Sequence, residues 1–171
     1  MTAITFFSFV GIYDKALDAA AHILTKGAAF AAEQGVAEAD FLNWKLADDM
    51  LPLSYQFGMV INFSRSWTAR AAGLDLPDGV TAADLDVAGL QAAIADSKAW
   101  LAALTPEQFA GREDVPATVK LGDVMEPTLP IGQWVSGFAT TNIHFHLSMA
   151  YAVLRMKGVA VGKADLFPTG L

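Results

Sequence analysis

The chain has 171 residues, no cysteine and a formal charge of −7, with 54 % apolar and only 17 % charged residues. That length supports one domain over 1–171 with a real core, and the missing cysteine removes disulfides, thiolate nucleophiles and Cys-ligated metals. An acidic chain without a Lys/Arg cluster excludes nucleic acid and anionic membranes as main partners, because both reward clustered positive charge.

The N-terminal stretch Met1 to Val10 lacks the basic n-region of a leader, and Asp14 and Lys15 interrupt its apolar run too early for a membrane span. A cytoplasmic protein is expected. From Phe6 to Gln34, apolar residues recur every three or four positions (Phe6, Val10, Tyr13, Leu17, Ala20, Leu24, Ala28, Ala31), which predicts a long amphipathic helix closed by Gly35. A connector from Val36 to Leu51 carries Asp48-Asp49, read as capping charge for the helix that follows. Pro52 suits the first turn of that second helix, which runs to Ala72 with Leu53, Val60, Phe63, Trp67 and Ala71 on its stripe. After a Pro/Gly/Asp loop, a third helix is expected over Ala82 to Leu104, followed by a capped turn at Thr105 to Gln108. Alternation from Val115 to Thr128, with Gly122-Asp123 between, predicts a small hairpin. The fourth helix should run from Ile131 to Lys157 and stop at Gly158. The sum is an all-α antiparallel four-helix bundle with a β-hairpin between helices three and four.

The most informative segment is Pro127 to Leu154, which contains no Asp, Glu, Lys or Arg. Its Gln, Thr, Asn, His and Ser residues are too polar for lipid, so it reads as a buried helix. Buried polar side chains need partners. Asn142 and His146 are four apart and share a helix face, and Gln56 lies on the core stripe of the second helix. The three are expected to converge, either as a structural hydrogen-bond network or as a pocket for a small polar molecule, with Trp67, Trp134 and Phe138 as apolar walls. His146 is the candidate catalytic residue. His144, two residues away and about 200° around the helix, must serve another purpose. It shares with Gly137, Thr141, Ser148 and Tyr151 a polar, uncharged face that suits either a homodimer interface or packing against the hairpin or tail. His22 lies off the core stripe and reads as a surface residue. Gly158 to Lys163 superficially resembles a phosphate loop, but it follows a helix and so has no helix N-terminus to offer phosphate.

Two motifs add a resemblance. Asp49-Met50-Leu51-Pro52-Leu53-Ser54-Tyr55-Gln56 fits the pattern D-M-x-P-L-x-x-Q. The chain's end carries Asn142-Ile-His-Phe145-His146, Ala150-Tyr151, Leu154-Arg155, Gly158-Val159 and Gly162-Lys163-x-Asp165. Together these resemble a bacterial and fungal family of unknown function within the DinB-like superfamily of metal-dependent four-helix proteins, often dimeric. In DinB-like enzymes a divalent metal is held by three His, one on the second helix and an H-x-x-x-H pair on the last. The resemblance carries those positions onto Gln56, Asn142 and His146, so one His of three remains. It therefore implies a degenerate metal site with no cofactor, and a small molecule bound in the bundle core of a homodimer. The alternatives are a transferase- or hydrolase-type enzyme using His146, alone or with Zn, Ni or Fe, and a structural or interaction protein without a ligand.

Overall fold

A computed structural model describes residues 4–170; Met1 to Ala3, the start of the stretch read above for a leader, and Leu171 lie outside it. Four long helices dominate. α1 is Ser8–Glu33, and it buries the predicted stripe Val10, Tyr13, Leu17, Ala20, Leu24 and Ala31. A short helix that periodicity did not reveal, α2 (Glu38–Leu42), tucks Phe41 and Leu42 into the core within the connector. α3 is Leu53–Ala72. α4 is Val87–Ala102, and it starts later than the sequence suggests. Ala82–Asp84 forms a separate 3₁₀ turn, because the Asp86 carboxylate accepts from Gly89 N at 2.7 Å and starts the helix there. The last helix, α5, runs from Ile131 to Met156 through a π turn at Trp134–Ala139.

Asp48 and Asp49 are exposed and do not cap α3. Pro52 holds the N-cap position without a side-chain cap, and the Leu53 amide donates instead to Trp44 O at 2.8 Å. At the other end Gly73 closes α3 at φ +70°, and Arg112 Nε donates to Ala71 O at 2.7 Å. That supplies one of the carbonyl partners that a helix end lacks.

α1 and α3 each pack against the three other long helices, and the α3–α5 contact is the most extensive. The hairpin lies between α4 and α5 as predicted. Its strands β1 (Pro116–Thr118) and β2 (Thr128–Pro130) pair antiparallel with Ala117 opposite Leu129, and a bridge between Leu121 and Met125 closes the tip around Gly122. The backbone before the hairpin serves α5 directly: the amides of Ile131 and Gly132 donate to Val115 O and Glu113 O at 2.8 and 2.9 Å. Trp134 Nε1 donates to Ala117 O at 2.8 Å, which pins β1 to the start of α5. No described helix is long and apolar enough to cross a membrane.

The π turn has an identifiable chemistry. The Val135 carbonyl accepts from the Thr140 hydroxyl at 2.8 Å and lies 3.1 Å from the Tyr13 hydroxyl, partners that stabilise a carbonyl whose normal ladder is disturbed. Tyr13 is fully buried, and burial pushes its pKa up to about 12. The turn offsets Trp134 and Phe138 from the regular register of Asn142 and His146.

Candidate functional site

Two of the three sequence-predicted polar residues meet. Gln56 is buried on α3, and its Nε2 donates to Leu51 O at 3.0 Å. That bond fixes the amide orientation, so Oε1 is the atom left for His146. His146 Nδ1 lies 2.8 Å from it. A carbonyl oxygen only accepts, so the imidazole must carry its proton on Nδ1. Burial lowers the His146 pKa below the ordinary 6.5, so the ring is neutral near pH 7. Nε2 has no hydrogen-bond partner among the described residues. It is also not one of the buried side-chain atoms left without one, which are Ser64 Oγ and Arg65 Nε. Its lone pair therefore faces solvent.

Asn142 does not join this pair. Its Nδ2 donates to Phe138 O, 2.8 Å away on its own helix, a local bond that satisfies a half-buried amide without help from α3. The expected three-residue network is a two-residue one.

The apolar surroundings differ from expectation too. His146 is flanked by Phe145, Tyr55 and Phe63, with ring centroids at 5.2, 6.0 and 6.2 Å. Phe138 is one ring further, 5.9 Å from Phe63. Trp67 and Trp134 are buried and stacked at 5.5 Å, each with Phe138 edge-on, so they hold the aromatic layer from behind. Tyr55 and Phe145 are the residues that the sequence reading missed. Each adjoins a chosen residue in the chain, Gln56 and His146, yet lies about 100° off its stripe. The pair opens on the surface seam between α3 and α5, not on the bundle centre. One surface cavity is lined by Tyr55 and another by Trp134 and Phe138, but Gln56, Asn142 and His146 line neither.

The metal that a DinB-like fold implies does not fit these residues. Among the described residues no three His, Asp or Glu side chains converge. The position offers one imidazole and two amides, one amide engaged with the imidazole and the other with its own helix. Zn-type ions want three good nitrogen, sulfur or carboxylate ligands.

His22 lies off the core stripe at the surface, as expected, with its side chain 39 % exposed, and its Nε2 is 2.8 Å from Asp165 Oδ1, the atom that also accepts from Lys26 Nζ at 2.9 Å. Asp165 Oδ2 accepts from Gly162 N at 2.6 Å. Bonds from Lys26, Gly162 and His22 hold the Asp165 carboxyl well below the usual carboxylate range. Gly137, Thr141, His144 and Ser148 are exposed on the outer face of α5, and Tyr151 is half-buried beside them.

The chain is similar to the crystal structure of a DinB family member from Shewanella denitrificans, with a TM-score of 0.83 and 26 % identity over 94 % of this chain and 90 % of that one. Residues 6–167 match the family described as a domain of unknown function, DUF1993, and the chain belongs to it. No curated protein matches it.

Proposed function

We propose that this chain is a small-molecule-binding member of the DinB-like proteins that uses a histidine in place of a metal. His146 Nε2 accepts a hydrogen bond from a ligand at the α3–α5 seam. The observation that supports this reading is the bond between His146 Nδ1 and Gln56 Oε1 at 2.8 Å. It sets one tautomer and leaves one solvent-facing lone pair as the recognition element. The flanking rings of Tyr55, Phe63 and Phe145 favour a flat, apolar ligand body. The ligand class is thus a neutral aromatic or cyclic molecule with an O–H or N–H donor. Gln56 lacks the negative charge with which a carboxylate would stabilise an imidazolium, and burial, by lowering the pKa, makes His146 a weaker base. Both features favour recognition over proton abstraction.

Phenol tests this, with anisole as the analogue lacking the donor. Wild-type protein should bind phenol more tightly than anisole in a ¹H–¹⁵N chemical-shift titration. His146→Ala should bind both equally weakly while keeping its helical circular dichroism. Equal affinities of the wild type for the two compounds, or unchanged phenol binding in His146→Ala, would overturn the reading.

A further inference from the structure

The C-terminal motif Gly162-Lys163-x-Asp165 has no part in the His146 seam, yet Asp165 carries the densest set of polar bonds in the structure. Those bonds fasten the 3₁₀ turn Lys163–Leu166 against α1. The two residues that follow Asp165, Leu166 and Phe167, form one wall of a cavity of about 310 Å³. Ile12 and Ala16 of α1 and Leu147 of α5 complete its apolar lining, and Lys15, His144 and Ser148 supply its polar groups. That combination, a concave apolar space of a few hundred Å³ with a few convergent polar groups, is the usual form of a small-ligand site.

The polar groups specify the ligand's charge. Asp14 and Asp18 flank Lys15 on α1, but both are engaged by Lys98 at 2.7 Å, and Asp18 Oδ2 also accepts from the Thr169 hydroxyl at 3.2 Å. Lys15 forms no ion pair among the described residues. One of its protons goes to Gly170 O at 3.0 Å, and an ammonium has three to give. Ser148 adds a hydroxyl donor. His144 Nδ1 donates to Thr140 O at 2.9 Å, which leaves Nε2 as the ring's other polar atom. On a chain of net charge −7, an ammonium without a carboxylate partner among the described residues beside an apolar cavity is an uncommon combination.

We propose that this cavity between α1, α5 and the C-terminal turn is a second ligand site, separate from the His146 seam. It takes a small monocarboxylate with a compact apolar body. The carboxylate sits on Lys15 and Ser148, the body fills the space between Ile12, Leu147 and Phe167, and the Asp165 bonds hold the wall that closes it. The same His144 and Ser148 lie on the face read as either a homodimer interface or packing against the hairpin or tail; the C-terminal turn stands beside them here, and a dimer through them would seal the mouth.

Isothermal titration calorimetry with sodium benzoate on the full chain tests the proposal, with benzyl alcohol as the uncharged analogue. Benzoate should bind the wild type and bind Lys15→Met about tenfold more weakly, the loss of one charge-assisted hydrogen bond. Benzyl alcohol should bind both proteins equally and more weakly than benzoate. Ile12→Trp, which fills the mouth from an exposed position, should abolish benzoate binding without lowering the melting temperature. His146→Ala should bind benzoate as wild type does. The proposal is overturned by absence of benzoate binding at millimolar concentration, or by equal affinities of wild type and Lys15→Met. Loss of benzoate binding in His146→Ala would move the carboxylate to the seam and sink this site alone. A stable dimer broken by Ser148→Glu, with no benzoate binding, would assign the face to a second copy.

Discussion

His146 and Gln56 form an asymmetric pair in which the two partners have different consequences when removed. Gln56→Leu keeps the volume of a buried side chain but leaves the imidazole Nδ1–H and the Leu51 carbonyl without their partner. It should destabilise the fold by about 1–3 kcal/mol, the usual penalty for stranded buried polar groups, measured by urea unfolding. It should also release the tautomer, so phenol affinity falls although Gln56 never touches the ligand. A Gln56→Leu variant as stable as wild type would mean that the pair contributes little to the fold. Both residues were legible in the sequence, because uncharged polar side chains on an apolar stripe have few alternatives to each other. Asn142 misled for a reason internal to helices. A side-chain amide can bond the carbonyl four residues back, and spacing alone cannot tell that local solution from a tertiary one.

At the level of elements, the long amphipathic helices were readable because a 3.6-residue stripe reports the buried face directly. The buried residues of α1 follow the predicted stripe closely. Short or irregular elements carry no such period. α2 is barely one turn long, the Ala82–Asp84 turn was absorbed into the start of the third helix, and the π turn depends on Tyr13, a residue more than a hundred positions away. The Ala82–Asp84 turn nonetheless has a defined seat on α3. A Cβ added at Gly58 would come within 2.5 Å of Ala82 Cβ. Gly58→Ala should therefore destabilise the protein by about 1–3 kcal/mol, even though alanine in a helix interior is worth roughly 1 kcal/mol over glycine. Thermal denaturation decides the sign, and a stabilised variant would show that the turn detaches easily from α3. Tyr13→Phe should cost about 1 kcal/mol by the same measurement, one hydrogen bond to the π turn.

For the molecule as a whole, acid stability should fall in two steps. His146 has its folded pKa below the ordinary 6.5, so the unfolded chain takes the proton first. Its contribution is complete above about pH 6.5 and is lost as pH falls through the folded value. Asp165 is also lowered, from 3.8, so its contribution persists until pH drops below the carboxylate range. Urea midpoints across the acid range should lose the upper step in His146→Gln and the lower step in Asp165→Asn. A single step that neither variant alters would contradict this assignment. The bundle thus joins two independent polar arrangements, one on the α3–α5 seam and one fastening the C-terminal turn to α1.

The most direct test of the central claim is a long-range ¹H–¹⁵N correlation spectrum of the three histidine side chains at pH 7, with His146→Gln for assignment. The His146 ring should be neutral, with Nδ1 protonated and Nε2 bearing the lone pair, and stoichiometric Zn²⁺ should leave its nitrogen shifts unchanged. A proton on Nε2, an imidazolium, or a zinc-dependent shift at Nε2 would contradict it.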